Sequence, residues 1–151
     1  MESVNRTPPP VIQRLVDATN RHDLDALVEC FAPDYNSDTP AHPDRNFHGR
    51  DQVRTNWSNI FAGVPDLSST LLRWVADGET LWTEWHHQGT RRDGHPHEMV
   101  GVGVFELSDD RLQSVRFYLE PVQRDGVDAT AGARNIVGAG SAGGPSAGGR
   151  R

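Results

Sequence analysis

Helical periodicity in the first half of the chain and strand periodicity in the second predict an α+β fold. Up to residue 63, apolar side chains recur at i, i+3 and i+4; from Leu67 to Pro121 four segments read as strands. The junctions between those segments are Asp77-Gly78, Asp93-Gly94 and Asp109-Asp110, which is the chemistry of antiparallel hairpins. Helices that are apolar on one side need a surface to cover, and a meander supplies it. The expected architecture is a curved antiparallel sheet wrapped on N-terminal helices.

The elements follow in order. Pro8, Pro9 and Pro10 suit a helix start, and Val11, Leu15, Val16 and Ala18 then form one apolar face. Asn20-Arg21-His22-Asp23 breaks this helix, with Asp23 placed to cap the next one. Leu24, Leu27, Val28 and Phe31 carry the second helix, which is expected to stop at Pro33. A short strand around Tyr35–Asp38 is expected to join the sheet. A third helix opens after Gly49, shows Val53, Trp57, Ile60 and Phe61 on one face, and ends at Gly63–Pro65. Leu67–Ala76, Leu81–Gly89, Pro96–Leu107 and Leu112–Pro121 are the expected strands of the meander.

Composition narrows the function classes. The chain has 151 residues, 35% hydrophobic and 24% charged, enough for a single domain with one modest core. No apolar run reaches the roughly 20 residues of a membrane helix, and Met1 to Pro10 lacks the apolar centre of a secretory signal. Cys30 is the only cysteine, which leaves no internal disulfide and suits a reducing, cytoplasmic setting. A net charge of −6 argues against nucleic acid as partner. All fifteen basic residues are Arg, so a Schiff-base lysine is excluded. Seven of the fifteen glycines lie between Gly132 and Gly149, and residues 138–151 read as a flexible Gly/Ala/Ser tail. Residues 1–10 form an N-terminal extension, 11–122 the domain, and 123–137 a segment left open, with room for a last helical turn.

Several segments together resemble a known family. They are Cys-Phe-Ala-Pro-Asp-Tyr (30–35), Phe-His-Gly-Arg-Asp-Gln-Val-Arg (47–54), Phe-Ala-Gly-Val-Pro-Asp-Leu (61–67), Val-Ala-Asp-Gly-Glu-Thr-Leu-Trp (75–82), Gly-Val-Gly-Val-Phe-Glu-Leu (101–107) and Phe-Tyr-Leu-Glu-Pro-Val (117–122). In this order they resemble the SnoaL-like branch of the nuclear-transport-factor-2-like superfamily, over about residues 11–122. The resemblance implies a cone-shaped α+β barrel, an apolar pocket between helices and sheet, and a homodimer through the outer sheet face. It does not imply one function, because polyketide cyclases, ketosteroid isomerases, epoxide hydrolases, dehydratases and non-catalytic binding modules share the fold.

Candidate residues can be tested against these chemistries. Asn36 and Asp38 share one face of the short strand, where the family's isomerases carry a general base, and by resemblance Asp38 is that base. The other reading has both residues hydrogen-bonding the loop 39–45. By resemblance, the epoxide hydrolases place an Arg and an Asp where this chain has Trp85 and His87, and a second Asp where it has Phe117. That triad is missing. His87 is suited to exchange a proton or orient a carbonyl, while Trp57, Trp85 and Phe117 form either pocket walls or ordinary core. On the last strand Val115, Phe117 and Leu119 are the expected inward face, with Glu120 reaching the pocket mouth. The isomerase oxyanion hole by family needs a helix Tyr, and the helices have none. Gly89, His95 and His97 begin a cupin-like metal string that lacks its Glu, so no metal or cofactor is expected, and His95-Pro96-His97 reads as an exposed turn. His42 and His48 read as loop or rim residues.

Two functions remain. One is a cofactor-free isomerase, cyclase or dehydratase acting on a small apolar, polyketide-like carbonyl compound through Asp38, His87 and Asn36. The other is a non-catalytic domain that binds an apolar ligand in the same pocket.

Overall fold

The computed structural model describes residues 6–139 of the chain. Helix α1 (Pro10–Arg21) starts at the proline run and buries Val11, Ile12, Leu15, Ala18 and Thr19. It ends at His22, whose backbone takes the left-handed conformation at φ 55°. Helix α2 (Leu24–Glu29) is capped by Asp23, whose carboxylate accepts the Ala26 N–H at 3.1 Å. It ends two residues before Phe31, earlier than the spacing predicts. The reason is sheet pairing: Cys30 O accepts the Leu112 N–H at 2.8 Å, so Phe31 enters strand β1 (Phe31–Asp38). Pro33 therefore lies within a strand instead of stopping a helix. The register shift between Phe31 and Asn36 accommodates it.

A single 3₁₀ turn (Pro43–Arg45) leads to the two-residue strand β2 (Phe47–His48) and helix α3 (Arg50–Gly63). Strands β3 (Ser68–Asp77), β4 (Thr80–Thr90), β5 (Pro96–Ser108) and β6 (Arg111–Pro121) follow within a residue or two of expectation. The hairpin chemistry is as anticipated, with Gly78, Gly94, Asp109 and Asp110 all at positive φ. The segment after residue 122 carries helix α4 (Ala129–Ile136), none of whose residues is buried. The tail expected over 138–151 lies, but for its first two residues, outside the described residues.

The six strands form one sheet in the order β2-β1-β6-β5-β4-β3. All neighbours are antiparallel except β1 and β6, which run parallel and have β2, α3 and the strands β3–β5 between them in sequence. The inward face of the sheet and the helices share one core, including Ile12, Leu27, Leu81, Trp85, Leu112 and Val115. This is the α+β architecture that the periodicity predicts.

Two side chains fasten the far edge of the sheet to the helices. Asn20, at the end of α1, accepts the Ser69 N–H at 2.7 Å and donates to Ser69 O at 3.0 Å. His22 donates to Leu67 O at 2.9 Å and stacks on Phe61 of α3 with ring centroids 4.3 Å apart. The first strand is already tied to α2 by chain connectivity. Fixing the last edge strand to α1 obliges the sheet to bend round the helices. Asn20→Ala leaves both backbone groups of Ser69 without this partner, and Ser69 is buried. The variant is expected to lose about 1–3 kcal/mol of stability, read as a lower midpoint in urea unfolding.

Candidate functional site

Between the bent sheet and the helices lies a cavity of about 450 Å³. Alternation along the strands decides which side chains reach it. On β4, Leu81, Thr83 and Trp85 are buried while Trp82 and Glu84 face outward, so His87 falls on the inner face. His87 lines the cavity together with Trp57 of α3, Trp85 of β4 and Phe117 of β6. The expected inward parity of β6 holds: Val115, Phe117 and Leu119 line the cavity and Tyr118 is exposed. The aromatic residues are both core and wall. They pack against the buried cluster and still leave the space open.

Some polar groups in and behind the cavity wall are paired within the protein. Thr83 donates to Gly103 O at 2.6 Å and accepts the Trp85 indole N–H at 2.7 Å, which fixes the plane of Trp85. Thr19 donates to Leu15 O at 2.7 Å. His97 and Asn59 of the lining make no side-chain hydrogen bond among the described residues, and neither does His87. Its imidazole has Trp57 at 6.2 Å and Trp85 at 6.0 Å between ring centroids, and it makes no hydrogen bond among the described residues. Burial, aided by the nearby imidazoles of His97 and His86, lowers its pKa from 6.5 to about 4. His87 is therefore neutral at pH 7, with one nitrogen to donate and one to accept.

Strand β1 differs from expectation by one residue of parity. Tyr35, Ser37 and Thr39 line the cavity, while Asn36 and Asp38 are exposed on the other face. Asn36 accepts a hydrogen bond from His48 at 2.7 Å, and Asp38 is not among the cavity residues. The physical reason lies in Tyr35: it is 3% exposed and sits edge-on to Phe31. Burying that ring stabilises the fold, whereas burying the Asp38 carboxylate in the same place would cost its hydration. Tyr35 brings a phenol to the cavity wall. Burial raises its pKa, so it stays protonated, with Ser37 beside it opposing that shift.

Two further placements differ from expectation. Glu120 does not reach the cavity; it is half-exposed and accepts a hydrogen bond from His42 at 2.8 Å. His97, expected in an exposed turn, is half-buried and lines the cavity, because β5 starts at Pro96 and pairs His97 opposite Gly89. It thus stands diagonal to His87 on the same face. Strand alternation counted back from Met99 was the signal that could have found it. Among the described residues no Asp or Glu lines the cavity, and no cluster of His, Cys, Asp and Glu is placed to hold a metal ion.

The comparisons with known proteins agree with this geometry. The family model for the SnoaL-like domain matches residues 12–115. No curated protein is similar enough in sequence to count as a relative. Among solved structures, IdmH of Streptomyces antibioticus, a candidate polyketide cyclase, is 24% identical with a TM-score of 0.65, over 76% of this chain and 93% of its own. A protein of ketosteroid isomerase-like fold from Catenulispora acidiphila, crystallised with trimethylamine, is 18% identical with a TM-score of 0.63, over 74% and 87%. An LEH-like epoxide hydrolase of M. tuberculosis is 19% identical at the same TM-score, over 74% and 81%. These likenesses concern the fold.

The burial of His87 has a measurable consequence. Its pKa is lower folded than unfolded, so the unfolded chain binds more protons between about pH 4 and 6.5. The contribution of His87 to stability is therefore fully present above that window and lost as pH falls through it. In an NMR titration the His87 imidazole signals are expected to move with a midpoint near 4 and to be absent in His87→Gln. A midpoint near 6.5 would show that the ring is solvated.

Proposed function

Because the chain belongs to the SnoaL-like domain family, we propose that its cavity takes a small, largely apolar carbonyl compound and rearranges it by proton transfer without a cofactor. The observation that carries this reading is His87, a neutral imidazole with no protein hydrogen bond, set between aromatic walls in a cavity of about 450 Å³. Trp57, Trp85 and Phe117 present flat apolar surface to a ring or conjugated chain. Among the described residues no carboxylate lines the cavity, so the general base in this reading is His87 rather than Asp38.

The reaction proceeds as follows. His87 takes the proton from a carbon next to a carbonyl, and the resulting enolate is stabilised by the Tyr35 hydroxyl, which burial keeps protonated. The enolate carbon then either accepts a proton at a second position, which isomerises the compound, or attacks a second carbonyl of the same molecule, which closes a ring. The imidazolium returns its proton to that carbon or to the new alkoxide. A base whose conjugate acid has a pKa near 4 is weak, so the carbon must be acidified, as it is between two carbonyls. Polyketide-like chains meet that condition.

One observation favours the alternative of a binding module: a cavity lined by no Asp or Glu suits a ligand that is held and released unchanged. Incubation with 1,3-dicarbonyl compounds followed by mass spectrometry separates the two readings. On the catalytic reading, His87→Gln is expected to lower turnover by about 10²–10⁴-fold while ligand binding persists. Asp38→Asn is expected to stay within about twofold of the wild type. Unaltered ligand in every incubation would favour the binding module.

The proposal extends to assembly and setting. Leu72, Val75, Trp82, Val100 and Tyr118 are exposed on the sheet strands, and this apolar outer face supports a homodimer. Trp82→Glu is expected to shift the mass measured by light scattering from dimer to monomer without loss of fold. Cys30 is free and buried, consistent with a reducing, cytoplasmic setting. No helix among the described residues is long and apolar enough to cross a membrane, and the net charge of −6 gives no ground for a nucleic-acid partner.

A further inference from the structure

Among the described residues, Arg45 is the one lining the cavity that carries a permanent charge. It ends the 3₁₀ turn Pro43–Arg45 and is exposed, so it stands where the cavity meets solvent. Its guanidinium makes no hydrogen bond or ion pair among the described residues, although the protein carries a net charge of −6. Asp38, Asp44 and Asp51, its neighbours in sequence, do not line the cavity. A cation here meets a ligand before it meets any acidic side chain of the cavity.

The turn that carries Arg45 is held in several places. The Arg45 N–H donates to His42 O at 2.9 Å, and the His42 N–H donates to Thr39 O at 2.8 Å. Asn46 accepts the Thr39 N–H at 2.7 Å, and the His42 ring is paired with Glu120 at 2.8 Å. Glu120 and His42 thereby hold the backbone of the turn that carries Arg45 from outside the cavity. A planar guanidinium presented in this way matches a carboxylate with two parallel hydrogen bonds.

We propose that the ligand is an acid: a ring-containing compound whose free carboxylate pairs with Arg45 at the entrance while its apolar body lies against Trp57, Trp85 and Phe117. This rests on the cavity being the ligand site, as argued above, and adds the charge of the compound and its direction of entry. The carboxylate stays in partly solvated surroundings beside its partner. The uncharged remainder occupies the apolar interior, where an unpaired charge would be excluded.

The test uses 2-naphthoic acid and its methyl ester as probes of equal ring size, titrated into the full chain at pH 7.5 and followed by quenching of tryptophan fluorescence. The wild type is expected to bind the acid roughly tenfold more tightly than the ester. Arg45→Gln is expected to bind both as weakly as the wild type binds the ester, and Arg45→Lys to retain part of the preference. Equal binding of acid and ester by the wild type, or a preference that survives in Arg45→Gln, overturns the carboxylate assignment and leaves the cavity as ligand site. Absence of binding by either probe overturns both.

Discussion

The site depends on the attachment of the last edge strand to the first helix. Asn20 satisfies both backbone groups of Ser69, and His22 reaches Leu67 O while stacking on Phe61. A side-chain amide thus does for β3 what a neighbouring strand would do, at an edge that has none. With one end of the sheet joined to α2 through the chain and the other fastened to α1, the sheet has to curve. The cavity is the space that a curved sheet and three short helices cannot fill. Its walls are therefore core side chains, and its stability and its shape come from the same contacts.

Within that cavity the chemistry follows from which polar groups already have partners. Behind the wall Thr83 links the Trp85 indole to Gly103 O, Thr19 returns to its own helix, and the Ser69 backbone is matched by Asn20. These groups are satisfied and have little to offer a ligand. His87 is left with both ring nitrogens free, and burial keeps it neutral. Those nitrogens face the cavity, where a ligand with a matching donor or acceptor can hydrogen-bond to them. The outward side chains of the same strands have a different role: His86 and Arg124 both engage Glu98, a surface network that joins β4, β5 and the segment after β6.

Most of the architecture was legible in the residues. The proline start of α1, the Asp23 cap, the Gly49–Gly63 limits of α3 and the three hairpin junctions all act within a few residues of the chain. So did the inner face of β4 and β6, where Thr83 and Trp85, and Val115 and Leu119, fix the parity that carries His87 and Phe117 inward. The errors arose where two local signals competed. Phe31 continues a helical spacing but pairs with β6, and His97 follows a turn but belongs to a strand.

The sequence by itself determined the element order, the one-sidedness of the helices and the alternation of each strand, because these depend on side-chain spacing along the backbone. It also determined that Asn36 and Asp38 share a face opposite Tyr35 and Ser37. Only the tertiary structure decided which face turns inward, through the burial of the Tyr35 ring against Phe31 and the exposure of Asp38. It alone brought Arg45 from a loop, His97 from a strand start and His87 from mid-strand to one cavity. Spacing sets which residues travel together; the free energy of burial, summed over contacts distant in the chain, sets the side on which they arrive.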